Sequence, residues 1–184
     1  MKILSLNIRG FGDDPKGKWG WVRELIHNQQ PDIVLLQETK LKVTTDFWMK
    51  YIWGSNNFSY VVKNAIGKSG GIITIWNNSV FNFAQAVEKN HFLAIKGNWV
   101  GQSISTVIIN VYGPHSDIKK KSMWDELNKI MELNNVAWVV GGDFNEVRFI
   151  TERRNSNFIE HRAKLFNEFI DSNKLIEIPM GGKM

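Results

Sequence analysis

The chain has 184 residues, a formal net charge of +5 and no cysteine. Its length is that of one ordinary domain. Hydrophobic residues make up 43% of it and prolines number only 4, so the chain can bury a core and is not disordered, collagen-like or a coiled coil. Without cysteine it has no disulfide scaffold, thiol nucleophile or thiolate metal site.

Neither a targeting signal nor a membrane segment is recognisable in the sequence. The longest continuous apolar run, Val136–Val140, has the length of a strand and falls far short of the ~18 residues of a membrane span. The N-terminus is too interrupted for a secretory signal. We therefore expect an intracellular protein, nuclear or cytoplasmic, that makes no membrane contact. The modest positive charge permits a polyanionic partner without identifying one.

The first forty residues predict a strand, a helix and a second strand, which is an α/β opening. Residues 2–8 alternate between apolar and polar side chains and end near Asn7. Residues 18–30 carry apolar side chains at helical spacing and stop at a proline. Residues 32–38 are an almost wholly apolar run, which predicts a strand buried on both faces with Glu38 at its carboxyl end.

The middle of the chain is rich in β-forming residues. Its β-rich runs follow one another without intervening helices and are separated by Gly, Asn and Ser clusters, as in a meander of hairpins. These runs are residues 58–64, 70–76, 81–87, 91–95 and 103–112.

The last third returns to helices around one more strand. Helices are predicted over residues 117–134 and 161–173. We interpret the run Lys119–Lys121 in the first of them as a solvated face, with a contact to the DNA backbone as the alternative. Between the helices, Val136–Val140 predicts a buried strand that runs directly into the sequence GGDFN at residues 141–145.

Three familiar kinds of site are rejected. The stretch Gly12–Trp19 nearly matches a phosphate-binding loop, but Trp19 replaces the metal-binding hydroxyl and Pro15 removes a backbone donor. The four histidines are isolated in the sequence, so a zinc site is not expected. No G-x-S-x-G elbow for a serine nucleophile occurs.

Polar side chains gather where three predicted strands end: Asn7 after the first, Glu38 after the second, and Asp143 and Asn145 after a later one. Taken alone, Glu38 is explained as a helix cap or ion-pair partner, and Asp143 and Asn145 as turn residues. Ligands of layered α/β proteins bind at the carboxyl ends of strands, and carboxylate and amide oxygens suit Mg²⁺ or Mn²⁺. Together the positions predict a metal site.

Four segments carry a resemblance to a known family. LNIRG with Asn7, LLQETK with Glu38, INVYGPH with Tyr112 and VVGGDFNEV with Asp143 and Asn145 follow in this order, each at a strand end. Over essentially its whole length the chain resembles the endonuclease/exonuclease/phosphatase superfamily, which includes AP endonucleases and DNase I. Its local variants, such as Thr-Lys after the glutamate and Gly-Pro after the tyrosine, most resemble the endonuclease domains of non-LTR (LINE-type) retrotransposons.

The resemblance implies a fold and a reaction. The fold is a four-layer, DNase I-like α/β sandwich in which two mostly antiparallel sheets pack face to face and are flanked by helices, and residues 1–184 form a single domain. The reaction is phosphodiester hydrolysis assisted by Mg²⁺ or Mn²⁺. DNA is the implied partner.

The resemblance also assigns roles to the strand-end residues. Glu38 is expected to hold the metal, with Asn7 beside it. Asp143 is expected to orient and deprotonate the attacking water. Asn145 would hydrogen-bond the scissile phosphate or the nucleophile, and Tyr112 would contact the phosphate.

Two further residues are assigned to nucleic-acid binding. Arg9 stands where AP endonuclease relatives have an acidic residue, so we expect it to contact a backbone phosphate. His115 follows the Tyr-x-Pro segment, at a position where some relatives have an amide.

The family's domain closes with an Arg-x-Asp strand and a Ser-Asp-His motif, and this sequence contains no Ser-Asp-His. The resemblance therefore implies a C-terminally truncated domain without its final strands and without a histidine that stabilises the transition state, a loss that typically costs about 10²–10³ in rate. Three functions stay open: an impaired DNA endonuclease, a non-catalytic remnant that at most binds nucleic acid or metal, and, ranked last, a hydrolase of inositol phosphates or sphingolipids.

Overall fold

Eight strands and four α-helices make up the regular structure of the described residues. The computed structural model describes residues 1–12, 15–67, 69–132, 136–153, 157–178 and 181. The chain divides into two units, of which the first comprises Met1–Gly113 and Asn134–Phe144 and the second Pro114–Leu133 and Asn145–Met184. No helix in the described ranges combines the length and the apolar character needed to cross a bilayer.

The first unit contains the eight strands and two helices. Its helices are α1 (Gly20–Gln29), which follows a short turn at Pro15–Trp19, and α2 (Asp46–Trp53). Its strands in chain order are β1 (Ile3–Asn7), β2 (Ile33–Gln37), β3 (Phe58–Lys63), β4 (Ile72–Asn77), β5 (Phe81–Glu88), β6 (Phe92–Trp99), β7 (Ser105–Tyr112) and β8 (Val136–Asp143).

The strands form two four-stranded sheets, in the orders β1-β2-β4-β3 and β5-β6-β7-β8. The β1–β2 and β7–β8 pairs are parallel, and the other four pairs are antiparallel. The sheets share one apolar layer, in which Ile33 and Leu35 of β2 pack with Ile95 of β6 and Ile108 of β7. The predicted pair of packed, mostly antiparallel sheets is therefore confirmed.

Strand β2 is buried on both faces, as its sequence predicts, and all five of its residues are buried. Because successive side chains of a strand point to opposite faces, Val34 and Leu36 lie in the cluster with the helix residues Val22 and Met49. The alternate residues of β2 face the second sheet instead. A continuous apolar run is needed where both faces of a strand are covered.

Helix α2 has no counterpart in the predictions made from the sequence. It begins after Thr45 and ends at a left-handed Gly54. Its buried residues Met49 and Ile52 are three positions apart, but exposed Phe47 and half-buried Trp48 interrupt the helical pattern. Apolar side chains all around a short helix hide its periodicity, so only packing against the sheet identifies the buried face.

The prediction that Val136–Val140 is a buried strand is wrong about burial. These residues do lie in β8, but the side chains of β8 are only partly buried and Ala137 is exposed. In the strand order, β8 lies at the edge of its sheet beside β7. A strand with a neighbour on one side only keeps more of its surface accessible than a central strand does.

The second unit contains α3 (Asp117–Met131), a short turn at Ile150–Glu152 and α4 (Glu160–Ser172). The rings of Trp124 in α3 and Phe169 in α4 pack with centroids 4.8 Å apart. Both helices were predicted from the sequence and are confirmed. Positions 133 and 134 of the predicted helix over 117–134 lie outside the described residues.

The interpretation of Lys119–Lys121 as a solvated face is confirmed for Lys119 and Lys121 and wrong for Lys120. Lys119 and Lys121 are exposed, but Lys120 is only 3% exposed. It lies on the same face of α3 as the buried residues Trp124 and Leu127, which follow it at helical spacing. Helical periodicity therefore turns one of the three lysines inward.

A buried polar network joins the two sheets. Asn110 of β7 is fully buried, and its Oδ1 accepts a hydrogen bond of 2.7 Å from Gln37 Nε2 of β2. Its Nδ2 donates to the carbonyl oxygen of Ile73 at 2.9 Å and to Thr74 Oγ1 at 3.2 Å, both in β4. Gln37 and Asn110 stand one and two residues before polar strand ends, so the network holds those ends in register across the sheets.

We predict that Asn110→Leu lowers the free energy of unfolding by about 1–3 kcal/mol, because buried partners such as the Thr74 hydroxyl and the Ile73 carbonyl lose their hydrogen bonds. Urea unfolding followed by circular dichroism measures the change. Asn82→Leu on β5 is the matched control, since Asn82 is exposed and a surface change of this kind stays within about 0.5 kcal/mol. Equal effects of the two substitutions would contradict the assigned role of the network.

Candidate functional site

The carboxyl ends of two parallel strand pairs lie together in the first unit. Asn7 ends β1 level with Gln37 of β2, and Glu38 follows directly. Tyr112 ends β7 level with Asp143, which ends β8. Since one strand pair belongs to each sheet, four of the residues singled out from the sequence come to one edge of the sandwich.

The Asn7 amide joins the two carboxylates. Its Nδ2 donates a hydrogen bond of 2.5 Å to Asp143 Oδ2 and also bonds the carboxylate of Glu38. Its Oδ1 accepts a hydrogen bond of 3.0 Å from the backbone N–H of Arg9. The amide is thereby held in one orientation, with its donors on the two acids.

Glu38 is half-buried, and its carboxylate accepts hydrogen bonds from several donors. Burial acts to raise its pKa, but the Lys40 ammonium, 3.0 Å from Oε1, and hydrogen bonds from Asn7 and Tyr112 outweigh burial and lower the pKa below its usual value. Glu38 also has a φ of 52°, a left-handed conformation that is uncommon for a residue other than glycine. Strained backbone of this kind clusters at functional sites.

Tyr112 is the neutral donor of the group. Burial, the negative charge of Glu38 and a hydrogen bond to it, and the charge of Asp143 raise the pKa of Tyr112 to about 12. A phenol surrounded by carboxylates keeps its proton because tyrosinate would add a third negative charge. At neutral pH the Tyr112 hydroxyl therefore serves as a hydrogen-bond donor.

The glycines before Asp143 let β7 and β8 approach at their carboxyl ends. Gly142 has a φ of 131°, and a Cβ there would lie 2.1 Å from the carbonyl oxygen of Val111. Only glycine fits such a position. The backbone N–H of Gly113 then donates to the carbonyl of Asp143 at 2.7 Å, which ties the two strand ends together.

Arg9 and Lys18 lie in the loop after β1. Arg9 is exposed and has a φ of 53°. Lys18 Nζ donates to the carbonyl oxygens of Ile8 and Arg9 at 2.8 and 3.2 Å, so this lysine of the rejected phosphate-loop match stabilises the turn instead. Asp13 and Asp14 of that match lie outside the described residues.

Asn145 and His115 belong to the second unit. Asn145 has a φ of 51°, and its carbonyl oxygen accepts a hydrogen bond of 2.6 Å from Lys120 Nζ. Lys120 also forms an ion pair with Glu146, whose side chain is 2% exposed and pairs with Arg153 at 3.2 Å. His115 is exposed. The buried ion pairs therefore fix the backbone just after the GGDFN segment.

The oxygen donors of the first unit suit a hard divalent cation. The carboxylates of Glu38 and Asp143 lie together there on the Asn7 amide, and carboxylate oxygens are among the preferred ligands of Mg²⁺ and Mn²⁺. Across the described ranges of the chain, no three His, Cys, Asp or Glu side chains form a cluster that could hold a metal ion. The few ligand atoms present suit an ion that keeps several coordination positions for water and substrate.

Sequence reasoning missed two contacts near the candidate residues, the ion pair of Lys40 with Glu38 and the bond of Lys120 to the Asn145 carbonyl. Lys40 stands two positions after Glu38, a spacing at which an ion pair is possible, and this was the available signal. Lys120 lies within a run of three lysines, and the one sequence signal that its side chain is buried is its helical spacing to Trp124. The partners of both lysines were identified from the structure.

The fold is an α/β sandwich of two mixed sheets, with carboxylates at one edge of the sandwich. The sequence matches the Endonuclease/Exonuclease/phosphatase family over residues 4–173. Because the match covers most of the chain, the protein belongs to the endonuclease/exonuclease/phosphatase family. No curated protein sequence matches the chain.

Solved structures have the same fold. The AP endonuclease LMAP from Leishmania major superposes with a TM-score of 0.72 at 17% identity, covering 94% of this chain and 66% of that one. The Xenopus laevis APE2 catalytic domain gives 0.68 at 18% identity, covering 92% and 67%. D. rerio TDP2, complexed with a single-strand DNA product, gives 0.56 at 12% identity, covering 96% and 66%.

These likenesses confirm the DNase I-like fold class predicted from the sequence, with two mixed sheets flanked by helices. At such low identities they establish the fold alone. The chain spans about two thirds of the length of each of these proteins. Members of the family are generally nucleases that depend on a divalent metal.

We predict that Glu38→Gln lowers the pKa of Tyr112 from about 12 toward its ordinary value of 10. The substitution removes the carboxylate charge that disfavours tyrosinate, while burial, the largest cause, still holds the pKa above 10. NMR titration of the tyrosine ring carbons measures it. Tyr60, whose pKa of about 12 arises from burial and Asp46, is the internal control and keeps its value.

The same shift predicts a loss of stability in alkaline solution. The folded protein holds the Tyr112 proton more tightly than the unfolded chain does, so this contribution to stability is complete below pH 10 and is lost as the pH rises toward 12. The loss is smaller in Glu38→Gln. If the Tyr112 titration is the same in both proteins, the contact with Glu38 is not present in solution.

We predict that Lys120→Met lowers the free energy of unfolding by about 3 kcal/mol, because it leaves the buried Glu146 carboxylate with Arg153 as its remaining ion-pair partner. Chemical denaturation measures the loss. Lys119→Met on the exposed side of α3 is the matched control. Glu146→Gln added to Lys120→Met restores part of the loss, since the unpaired charge is gone. A loss no greater than that of the control would refute the assignment.

Proposed function

We propose that the protein hydrolyses phosphodiester bonds of nucleic acid with the help of a divalent metal ion. The observation that carries this proposal is the meeting of the Glu38 and Asp143 carboxylates on the Asn7 amide, with the Tyr112 hydroxyl on Glu38. One carboxylate can then bind the metal ion and the other can accept a proton from water. Metal-assisted hydrolysis of a phosphodiester requires both functions.

Glu38, with Asn7 beside it, would hold Mg²⁺ or Mn²⁺. The Asn7 oxygen accepts a hydrogen bond from Arg9 N in this structure, so it would join the metal ligands only after the amide turns over. A bound ion supplies positive charge that neutralises the charge developing on the phosphoryl oxygens. The lowered pKa of Glu38 keeps its carboxylate ionised, and so able to bind a cation, in mildly acidic solution. The few protein ligands are consistent with Mg²⁺, which usually keeps several waters and binds substrate phosphate directly.

Asp143 is the proposed general base. Its carboxylate takes a proton from a water molecule, the water oxygen bonds to phosphorus, and the bond from phosphorus to the leaving oxygen breaks while that oxygen takes a proton from solvent. The hydrogen bond from Asn7 orients the carboxylate for this transfer. Tyr112 is protonated at neutral pH and bonded to Glu38 in this structure; its proposed role is to turn its hydroxyl to a phosphate oxygen when substrate binds. Asn145 is the proposed hydrogen-bond donor to phosphate or nucleophile.

Nucleic acid is the proposed substrate, with DNA favoured. The structural relatives include an AP endonuclease and a TDP2 bound to a single-strand DNA product. The chain is basic overall, with a net charge of +5, which favours association with a polyanion. Arg9 and His115 are exposed and are the proposed contacts to backbone phosphates.

We further propose that the two units form one domain of the family. We also propose that this domain is related to the endonuclease domains of non-LTR retrotransposons. The family match over residues 4–173 runs through both units, which supports the first statement. Thr39-Lys40 after the metal-site glutamate and Gly113-Pro114 after the tyrosine support the second.

We predict that the protein nicks supercoiled plasmid DNA in the presence of Mg²⁺ and that Asp143→Ala slows nicking by about 10²–10⁴-fold, the usual contribution of a general base. Agarose gel electrophoresis of the open-circle product measures the rate. Asp125→Ala, which removes an exposed carboxylate on α3, is the matched control and leaves the rate unchanged.

The outcomes separate the functions left open by the sequence. Nicking that persists in Asp143→Ala would mean that another group or a contaminating nuclease is responsible. Wild-type protein that binds Mn²⁺ and plasmid but does not nick contradicts the hydrolase and indicates the non-catalytic remnant. Cleavage of an inositol phosphate without any cleavage of DNA would contradict the assigned substrate.

A further inference from the structure

The Glu38 carboxylate already has a cation beside it in this chain. Lys40 Nζ lies 3.0 Å from Glu38 Oε1, and the two side chains are 40% and 19% exposed, respectively. The ammonium therefore stands against the same carboxylate that is proposed to bind the metal. Its side chain is the more exposed of the two, so the ammonium can move away from Glu38 into solvent while the stem of the side chain stays in place.

The backbone holds Lys40 in this position. Glu38 and Lys40 have φ values of 52° and 58°, two left-handed residues separated by one position. The carbonyl of Glu38 accepts a hydrogen bond of 2.7 Å from Gly10 N, and the backbone N–H of Lys40 donates to the carbonyl of Gly70 at 3.0 Å. Such a conformation persists only where the surroundings enforce it.

The stem of Lys40 is also packed. It lies over Gly10, where a Cβ would come within 2.9 Å of Lys40 Cδ. Gly10 has a φ of 88° and leaves the space that the stem occupies. Backbone hydrogen bonds on one side and the glycine on the other thus direct the ammonium to Glu38, which distinguishes this pair from a surface ion pair between two freely moving side chains.

We propose that Lys40 occupies the cation position at Glu38 in the metal-free protein and that a divalent metal binds by displacing its ammonium, so that Lys40 sets the metal affinity. The inference rests on the metal site of the proposed function. Two cations on one half-buried carboxylate repel each other, whereas without metal the lysine relieves the charge of Glu38. Lys40 is a positioning residue in this scheme.

Isothermal titration with Mn²⁺ tests the proposal without any measurement of catalysis. Lys40→Met removes the charge and keeps a stem that can pack on Gly10. We expect this variant to bind Mn²⁺ about tenfold more tightly than wild type. A neighbouring charge changes the affinity of a carboxylate for a proton about 10- to 1,000-fold, and the expected change is the lower end of that range. Lys40→Arg retains the charge and should keep the wild-type affinity. Lys42→Met removes an exposed lysine two positions away and is the matched control.

Each result decides the question. Unchanged or weaker binding by Lys40→Met overturns the proposal, since the lysine would then support the site instead of competing for it. Equal tightening by Lys40→Arg also overturns it, because the charge would not be the cause. If neither wild type nor Lys40→Met binds Mn²⁺, the metal site and this inference fail together. If Lys40→Met binds more tightly but plasmid is never nicked, the hydrolase proposal fails and the role of Lys40 stands.

Discussion

The hydrogen bond from Asn7 to Asp143 is the contact on which the proposed site depends. Asn7 ends a strand of one sheet and Glu38 follows the neighbouring strand, whereas Asp143 ends a strand of the other sheet, so the site exists only where the two sheets meet. Carboxylates brought close together repel, and their repulsion is reduced when each accepts a hydrogen bond. The Asn7 amide bonds both. A single neutral donor thereby allows two acids with different proposed roles to stand side by side.

The buried hydrogen bond between Gln37 and Asn110 fixes the alignment of the two sheets behind the site. Gln37 and Asn110 bond each other across the layer between the sheets, directly behind the positions of Glu38 and Tyr112. Polar groups in an apolar layer are satisfied only in one register, because any slip leaves donors and acceptors unpaired. Catalytic groups need supporting residues of this kind to hold their geometry. The core is therefore part of the site's construction.

The two lysines near the candidate residues differ in burial and consequently in what they can do. Lys120 is buried, bonded to the Asn145 carbonyl and paired with Glu146, so removing its charge disturbs the structure. Lys40 is partly exposed, and its ammonium can leave Glu38 while its stem stays packed on Gly10. One residue type thus supplies a fixed support in the second unit and, as we propose, a displaceable cation in the first.

Local patterns determined most of the strands, helices α1, α3 and α4, and the polar residues that end the strands, because strand alternation, helical spacing and turn residues are readable along the chain itself. Tertiary structure decided the rest. The edge position of β8, the buried face of α2, the inward direction of Lys120 and the bond from Asn110 to Gln37 all depend on which segments become neighbours. Contacts between residues far apart in sequence leave no periodic trace, and for that reason the bridge from Asn7 to Asp143 became visible only in three dimensions.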